Sequence, residues 1–272
     1  MAVPPLPSVA GDTIPATLAI PDGPGPFPAV VVAHDCSGLG PTSSGAPARW
    51  ARELQQRGYA TIIPDSFSTR GFPDGICTNP SPGRLSVNAP NRAADVYAAL
   101  AYLRTLPRIE GARVGLMGGS HGGATTIAAL LAPEAESSPL AAEKRNGFAA
   151  AVALYPSCAQ GARTWHTSTG IYKPTAPFYI LIGSADDWTP AAHCRTLASA
   201  AQQAGHPVSI KVYPGAHHAF DSNRPLRYVP HRINANAPSG RGATTAGDPA
   251  AWADAIKEVV AFFGRHLKGD AP

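Results

Sequence analysis

The chain has 272 residues, of which 44% are hydrophobic, and 22 basic against 18 acidic side chains give a formal net charge of +4. That length accommodates one large α/β domain or two small ones. The mild charge, with no dense Lys/Arg block, argues against nucleic-acid binding, and no apolar run approaches the roughly 20 residues of a membrane span.

The N-terminal Met1-Ala-Val-Pro-Pro-Leu-Pro7 has neither a charged n-region nor an apolar h-region, so no signal peptide is read in it. Asp12–Ile20 reads as extended, and Pro21–Pro28 as a rigid turn. The β-branched run Ala29–Ala33 predicts a central strand, followed by the loop His34-Asp-Cys-Ser-Gly-Leu-Gly40. A helix is expected over about Ala46–Arg57, closed by Gly58, then a strand over Tyr59–Ile63 stopped by Pro64. Asp65–Pro90 is rich in Gly, Pro, Ser and Asn, and a connection of that length is usually functional. Asn91–Leu106 predicts an amphipathic helix ended by Pro107, and Val114–Met117 a buried strand leading into an Ala/Leu-rich helix. Beyond it come a loop or short helix over Pro133–Asn146, a strand over Phe148–Tyr155, a loop over Ser157–Lys173 and a strand over Phe178–Ile182. Ala191–Ala204 reads as a helix stopped by Gly205, Val208–Tyr213 as a strand, and Pro249–Leu267 as a final helix after a polar stretch. Strands alternating with helices imply right-handed βαβ crossovers and a mostly parallel sheet with helices on both faces. No repeat or linker divides the chain, so residues 1–272 read as one domain.

Between the strand at Val114–Met117 and its helix lies Gly118-Gly-Ser-His-Gly122, which fits G-x-S-x-G. The spacing has a physical reason. A sharp strand-to-helix turn presents the central side chain at its apex, and the residues two before and two after must be small because strand and helix nearly touch. Ser120 is therefore the candidate nucleophile, and the backbone N–H of His121, at the helix start, points towards a developing oxyanion. A serine hydroxyl needs a general base, and the base needs an orienting carboxylate. In an open parallel sheet such groups sit just after strands. Two stretches qualify in the order Ser, Asp, His: Asp186-Asp187 and His217-His218. Asp187 could instead cap the following helix, and a His-His pair could ligate a metal. No second pair stands at ligand spacing, so neither a metal nor a cofactor is expected. The second oxyanion donor is expected from the loop after Ala29–Ala33, with the Cys36 N–H as the candidate.

Taken together, His34-Asp-Cys-Ser-Gly-Leu39, Gly118–Gly122, Gly183-Ser-Ala-Asp-Asp-Trp-Thr-Pro190 and Tyr213-Pro-Gly-Ala-His-His-Ala-Phe220 resemble the dienelactone hydrolase family of the α/β-hydrolase superfamily. The resemblance spans most of the chain and implies the α/β-hydrolase fold. Its G-x-x-D-x-x-x-P block selects Asp186 over Asp187, and its G-A-x-H-x-F block selects His218 over His217. It places an acidic residue at Asp35 and an oxyanion donor at Cys36. The founding members use a cysteine nucleophile where this chain has Ser120, which moves the expectation towards a general carboxylesterase and leaves Asp35 a structural or substrate-side role. The four cysteines are similar to those of secreted or periplasmic members, which implies the pairs Cys36–Cys77 and Cys158–Cys194 and an oxidising compartment; the alternative is four free thiols and a cytoplasmic protein.

For substrate contacts, Arg70 is expected on a loop reaching the site, where it could pair with a substrate carboxylate. Arg224, Arg227, Arg232 and Arg241 lie in a segment with no acidic residue between Asp221 and Asp248. Trp188 and Tyr155 are candidate walls of an acyl pocket. The expected function is a serine-dependent carboxylic ester hydrolase acting on small or medium esters or lactones. A peptidase or acyltransferase on the same triad, and a non-catalytic hydrolase-fold binding protein, are the alternatives. The expected partner is a small-molecule ester, with no nucleic acid and no membrane, and the chain is expected to be a monomer or a weak homo-oligomer.

Overall fold

The β-branched run Val30-Val31-Val32 is almost wholly excluded from solvent, and the rest of the molecule is layered around it. The structure, a computed structural model, describes residues 1–8, 11–134, 140–158 and 170–270. In chain order the strands are β1 (Leu6–Pro7), β2 (Thr13–Ile14), β3 (Ala16–Ala19), β4 (Phe27–Ala33), β5 (Ala60–Pro64), β6 (Ile109–Gly119), β7 (Ala150–Leu154), β8 (Phe178–Gly183), β9 (Val208–Tyr213), β10 (Arg227–Ile233) and β11 (Arg241–Thr245). The helices are α1 (Ala46–Gln55), α2 (Ala89–Arg104), α3 (His121–Leu130), α4 (Ala141–Arg145), α5 (Ala191–Gln203) and α6 (Pro249–Phe263). Seven strands form the central sheet in the order β3-β5-β4-β6-β7-β8-β9, with only β3 antiparallel to its neighbour.

Every residue of β7 and β8 is buried, the continuous apolar pattern of parallel strands covered on both faces. On one side α1 lies beside α6, with the Trp50 and Trp252 rings edge to face at 4.6 Å. On the other, Tyr97 of α2 donates its hydroxyl to Ala129 O of α3 at 3.0 Å. Burying each large apolar side chain of this core contributes about 1.5–3 kcal/mol relative to leaving it in water. This is the α/β-hydrolase architecture read from the sequence.

Several boundaries differ from that reading. Helix α2 starts at Ala89, because Asn88 accepts the Asn91 N–H as its cap and Pro90 fits the first turn. Strand β6 begins at Ile109, five residues before the apolar run; its first half is polar and half exposed, so only the pairing of Ile109 with Phe27 marks it. The polar stretch before the last helix folds into an antiparallel hairpin, β10–β11, outside the central sheet. Arginines, Pro230 and a register shift between Val229 and Ile233 erase the alternation that would have announced it. Most of the loop expected over Ser157–Lys173 lies outside the described residues.

Candidate active site

Strand β6 and helix α3 meet at a turn that only glycine can line. A Cβ on Gly118 would stand 2.5 Å from Gly122 C, and one on Gly122 would stand 2.1 Å from Ala33 O. Ser120, between them, takes φ 53° and ψ −115°, a conformation that L-residues hold only under constraint. The constraint is visible: Ser120 N donates to Leu154 O of β7 at 2.9 Å, and Ser120 O accepts the Ala124 N–H at 2.9 Å to open α3.

Two loops at the carboxyl ends of neighbouring strands reach the hydroxyl. After β9, His218 places Nε2 2.9 Å from Ser120 Oγ. After β8, Asp186 Oδ2 lies 2.8 Å from His218 Nδ1. The imidazole is 2% exposed and the carboxylate is buried with it. The other oxygen, Asp186 Oδ1, accepts the backbone N–H groups of Trp188 and Thr189 at 2.9 and 2.8 Å. Thr189 Oγ1 stands 2.9 Å from Asp186 Oδ2, 3.0 Å from His218 Nδ1 and 3.0 Å from the Tyr155 carbonyl. Every lone pair of the carboxylate that faces protein is thus engaged. The imidazole has one orientation, Nδ1–H towards Asp186 and a bare Nε2 towards the hydroxyl. In this arrangement the Ser120 proton can pass to His218 as the oxygen attacks an electrophile.

The paired alternatives sort cleanly. Asp187 turns away from Asp186 and accepts the Thr244 N–H and Oγ1–H of β11 at 2.8 and 2.7 Å. It does not cap α5, whose N-terminal flanking residue is Pro190. His217 Nδ1 is buried without a hydrogen-bond partner, and it is His218 that bonds Ser120.

A cleft of about 220 Å³ opens over Ser120 and is lined by His218, Tyr155, Trp188, Asp35, Cys36 and three arginines, Arg224, Arg227 and Arg232. Asp35 is turned into its own loop, accepting the Ser37 N–H at 2.7 Å together with the hydroxyls of Ser37 and Ser44. It shapes the turn that carries Cys36. Tyr155, itself at φ 37°, stacks edge-on to His218 with ring centres 4.7 Å apart. Its hydroxyl donates to Asp221 Oδ1 at 2.8 Å, while Trp50 Nε1–H donates to Asp221 Oδ2 at 2.8 Å. Burial lifts the Asp221 carboxyl above its ordinary range, against the pull of those two donors. Trp188 packs against His218 at 4.8 Å and donates Nε1–H to Ile233 O of β10 at 2.8 Å. The guanidinium of Arg232 lies 4.6 Å over the Trp188 ring and donates to Thr245 Oγ1 at 3.0 Å. Burial, with Arg227 beside it, pushes this guanidinium down to about 10.

Arg70 requires a correction. It does not line the cleft; its guanidinium is clamped by Asp12 at 2.6 and 2.9 Å and by Asp95 at 2.6 and 2.8 Å. Two carboxylates hold it, and its Nη1 also donates to the Ser66 carbonyl at 3.2 Å. Arg241, the exposed first residue of β11, bonds the His231 carbonyl at 3.4 Å and is absent from the cleft lining. Both expected disulfides are present, Cys36–Cys77 and Cys158–Cys194, each with Cα atoms 5.0 Å apart. The first ties the loop after β4 to the long connection between β5 and α2. Thr189 and the cleft-lining hairpin were not foreseen. Thr189 stands inside the quoted Gly183–Pro190 block, so position alone could have flagged it; nothing in the sequence alternation flags the hairpin.

A strand–turn–helix elbow in a doubly covered parallel sheet, with serine, imidazole and carboxylate in line, defines the class: a hydrolase of the α/β-hydrolase fold. The family model of the dienelactone hydrolase family matches residues 14–267, and the chain belongs to that family of carboxylic ester hydrolases. No curated protein sequence matches the chain. Among solved structures, a candidate dienelactone hydrolase from Klebsiella pneumoniae subsp. pneumoniae MGH 78578 is similar at 21% identity and a TM-score of 0.68, over 97% of this chain and 98% of that one. Esterase 2 of Thermogutta terrifontis phosphorylated by paraoxon is similar at 18% identity and a TM-score of 0.65, over 97% and 93%. Its propionate-bound form is similar at 16% identity and a TM-score of 0.64, over 97% and 93%. At these identities the likeness speaks for the shared fold.

Proposed function

We propose that the chain is a single-domain serine ester hydrolase that works through an acyl-enzyme. The observation that carries the reading is the unbroken line from Ser120 Oγ to His218 Nε2 at 2.9 Å and from His218 Nδ1 to Asp186 Oδ2 at 2.8 Å. Ser120 attacks the ester carbonyl while His218 takes its proton, and Asp186 stabilises the imidazolium. The N–H groups of Cys36 and His121 hold the oxyanion. His218 then protonates the departing alcohol, and water, activated by the same imidazole, releases the acid. The phosphorylated state of the Thermogutta esterase 2 fits an activated nucleophile in a protein of this fold.

The cleft is smaller than the roughly 300–1,000 Å³ of sites for drug-sized ligands, which favours short acyl groups or lactones. Its three arginines favour esters bearing an anionic group, with the alcohol or acyl portion lying against Arg232 and Trp188. Two disulfides fit an oxidising compartment, the periplasm or the outside of the cell, and no helix among the described residues is long and apolar enough to cross a membrane. The protein works on a small-molecule ester, as a monomer or weak homo-oligomer, with no cofactor.

Hydrolysis of p-nitrophenyl esters of increasing acyl length, wild type beside Ser120→Ala, tests the reading. Turnover is expected for the acetate and butyrate esters, falling for octanoate and lost by several orders of magnitude in the variant. Equal rates in both proteins would overturn it.

A further inference from the structure

Behind the elbow, away from the cleft, lies a buried cation that the mechanism above does not use. Arg92 of α2 is 1% exposed. One amino group donates to His121 Nδ1 at 2.6 Å, and the other donates to the His34 carbonyl at 2.8 Å. The guanidinium stacks 4.8 Å over the Phe67 ring, and its Nε–H has no partner. The carboxylates nearest in its field are committed elsewhere: Asp95 to Arg70, Asp35 to the Ser37–Ser44 turn, and Asp65 to the N–H groups of Phe67 and Ser68. Among the described residues Arg92 forms no ion pair. Leaving a charge buried and unpaired is costly, and chains keep such a group where the charge or its rigid fork is used.

Among the described residues no other side-chain hydrogen bond joins the two segments that the fork spans, although the Phe67 ring also touches both histidines, at 4.5 and 5.9 Å between ring centres. His34 is the first residue after β4, two residues before Cys36; His121 is the first residue of α3. These are the segments whose N–H groups form the oxyanion hole in the reading above. The contacts also fix both rings. His121 accepts at Nδ1 and therefore carries its proton on Nε2. His34 donates Nδ1–H to Asp35 O at 2.8 Å and accepts the Ser66 N–H on Nε2 at 3.2 Å. Burial, together with the Arg92 charge, holds both imidazoles well below their ordinary range, so neither competes with the guanidinium for a proton.

We propose that Arg92 is a positioning residue for the oxyanion hole: its planar fork locks the Cys36 loop to the start of α3 and sets a permanent positive charge behind the pair of N–H donors. The proposal rests on the serine-hydrolase reading. A lysine, reaching one acceptor at a time, keeps the charge and loses the fork.

The test compares Arg92→Met and Arg92→Lys with wild type for p-nitrophenyl butyrate kcat and KM, for the inhibition constant of an alkyl trifluoromethyl ketone, and for the thermal midpoint. The ketone adds Ser120 to form a hemiketal whose oxyanion occupies the hole, so its affinity reads the hole directly. A displaced donor costs about 100-fold, so Arg92→Met is expected to lose that factor in kcat and the same factor in ketone affinity, with KM within threefold. Arg92→Lys is expected to recover about tenfold of both losses. A kcat within threefold of wild type in Arg92→Met, or a kcat loss that ketone affinity does not follow, would overturn the proposal. Should Arg92→Met fail to fold, Arg92→Lys decides: parallel losses in kcat and ketone affinity uphold it, and wild-type values in both sink it. If Ser120→Ala hydrolyses the ester as fast as wild type, the underlying reading fails first, and the role of Arg92 falls with it whatever its variants do.

Discussion

Replacing Asp186 by Asn separates orientation from charge at this site. The amide nitrogen has two places to go. In the Oδ1 position it would face the N–H groups of Trp188 and Thr189, 2.9 and 2.8 Å away, and leave both without an acceptor. Each orphaned buried donor costs about 1–3 kcal/mol, so this orientation is unfavourable by several kcal/mol. In the Oδ2 position it faces His218 Nδ1 at 2.8 Å, which must then accept rather than donate. The imidazole proton moves to Nε2, where it points at Ser120 Oγ, and the base is lost. The second orientation wins, and kcat is expected to fall by about 10⁴, equivalent to about 5 kcal/mol of transition-state stabilisation, with little change in folding stability. The neighbouring Asp187→Asn is expected to be nearly neutral. Its oxygen can keep the Thr244 N–H, and its NH₂ can donate to the Thr244 hydroxyl, which accepts as readily as it donates. The assay is p-nitrophenyl acetate hydrolysis from pH 6 to 9 with thermal melts of both variants. An Asp186→Asn kcat within tenfold of wild type, or a larger loss in Asp187→Asn, would refute the reasoning.

Other outcomes follow from the same geometry. Gly122→Ala forces a Cβ to 2.1 Å from Ala33 O at the tightest contact in the elbow, and is expected to abolish activity and lower the melting temperature sharply; an active, stable variant would show that the elbow can open. The Cys36–Cys77 bond closes a loop of 41 residues, worth about 4 kcal/mol by chain entropy, so Cys77→Ala should lower stability by that order and reduce kcat more than Cys194→Ala does, as read by urea melts and ester turnover. His34 is wholly buried with its pKa depressed, so the unfolded chain takes up a proton near pH 6.5 that the folded chain refuses. Stability from this residue is complete above that pH and is lost on acidification, by about 1.4 kcal/mol per pH unit below 6.5; urea titrations at pH 7, 6 and 5 that gave the same unfolding free energy would contradict it.

Much of this was legible in the sequence, because the elements that build the site obey short-range rules. The elbow needs glycines at fixed offsets, and Gly118, Ser120 and Gly122 state that requirement outright. The acid and base follow strands whose apolar runs are unmistakable, and the family blocks then chose Asp186 and His218 from their doublets, as the geometry does. What escaped depends on contacts between residues far apart. Arg70 looked free because nothing local says that Asp12 and Asp95, 58 and 25 residues away, converge on it. The β10–β11 hairpin escaped because β10, rich in arginine, is largely exposed with no buried face to impose a period, and β11 buries small residues without alternation. Nothing in the amphipathic pattern expected over Asn91–Leu106 singles out Arg92, yet it points inwards, to acceptors set by two other elements.

The adjacent aspartates at the end of β8 serve two masters through one peptide unit. Asp186 holds the imidazole; Asp187 holds the strand whose partner brings Arg227 and Arg232 to the cleft, and the Asp187 carbonyl and Trp188 Nε1 add two further ties to the same hairpin at 3.0 and 2.8 Å. The catalytic line and the arginine-bearing wall of the cleft are therefore mechanically geared. A hairpin of different length or sequence can be exchanged without disturbing the base only if it returns a donor pair to Asp187 in the place of Thr244. Variants selected for new substrates should accordingly change the outward residues of the hairpin first and leave its anchor alone.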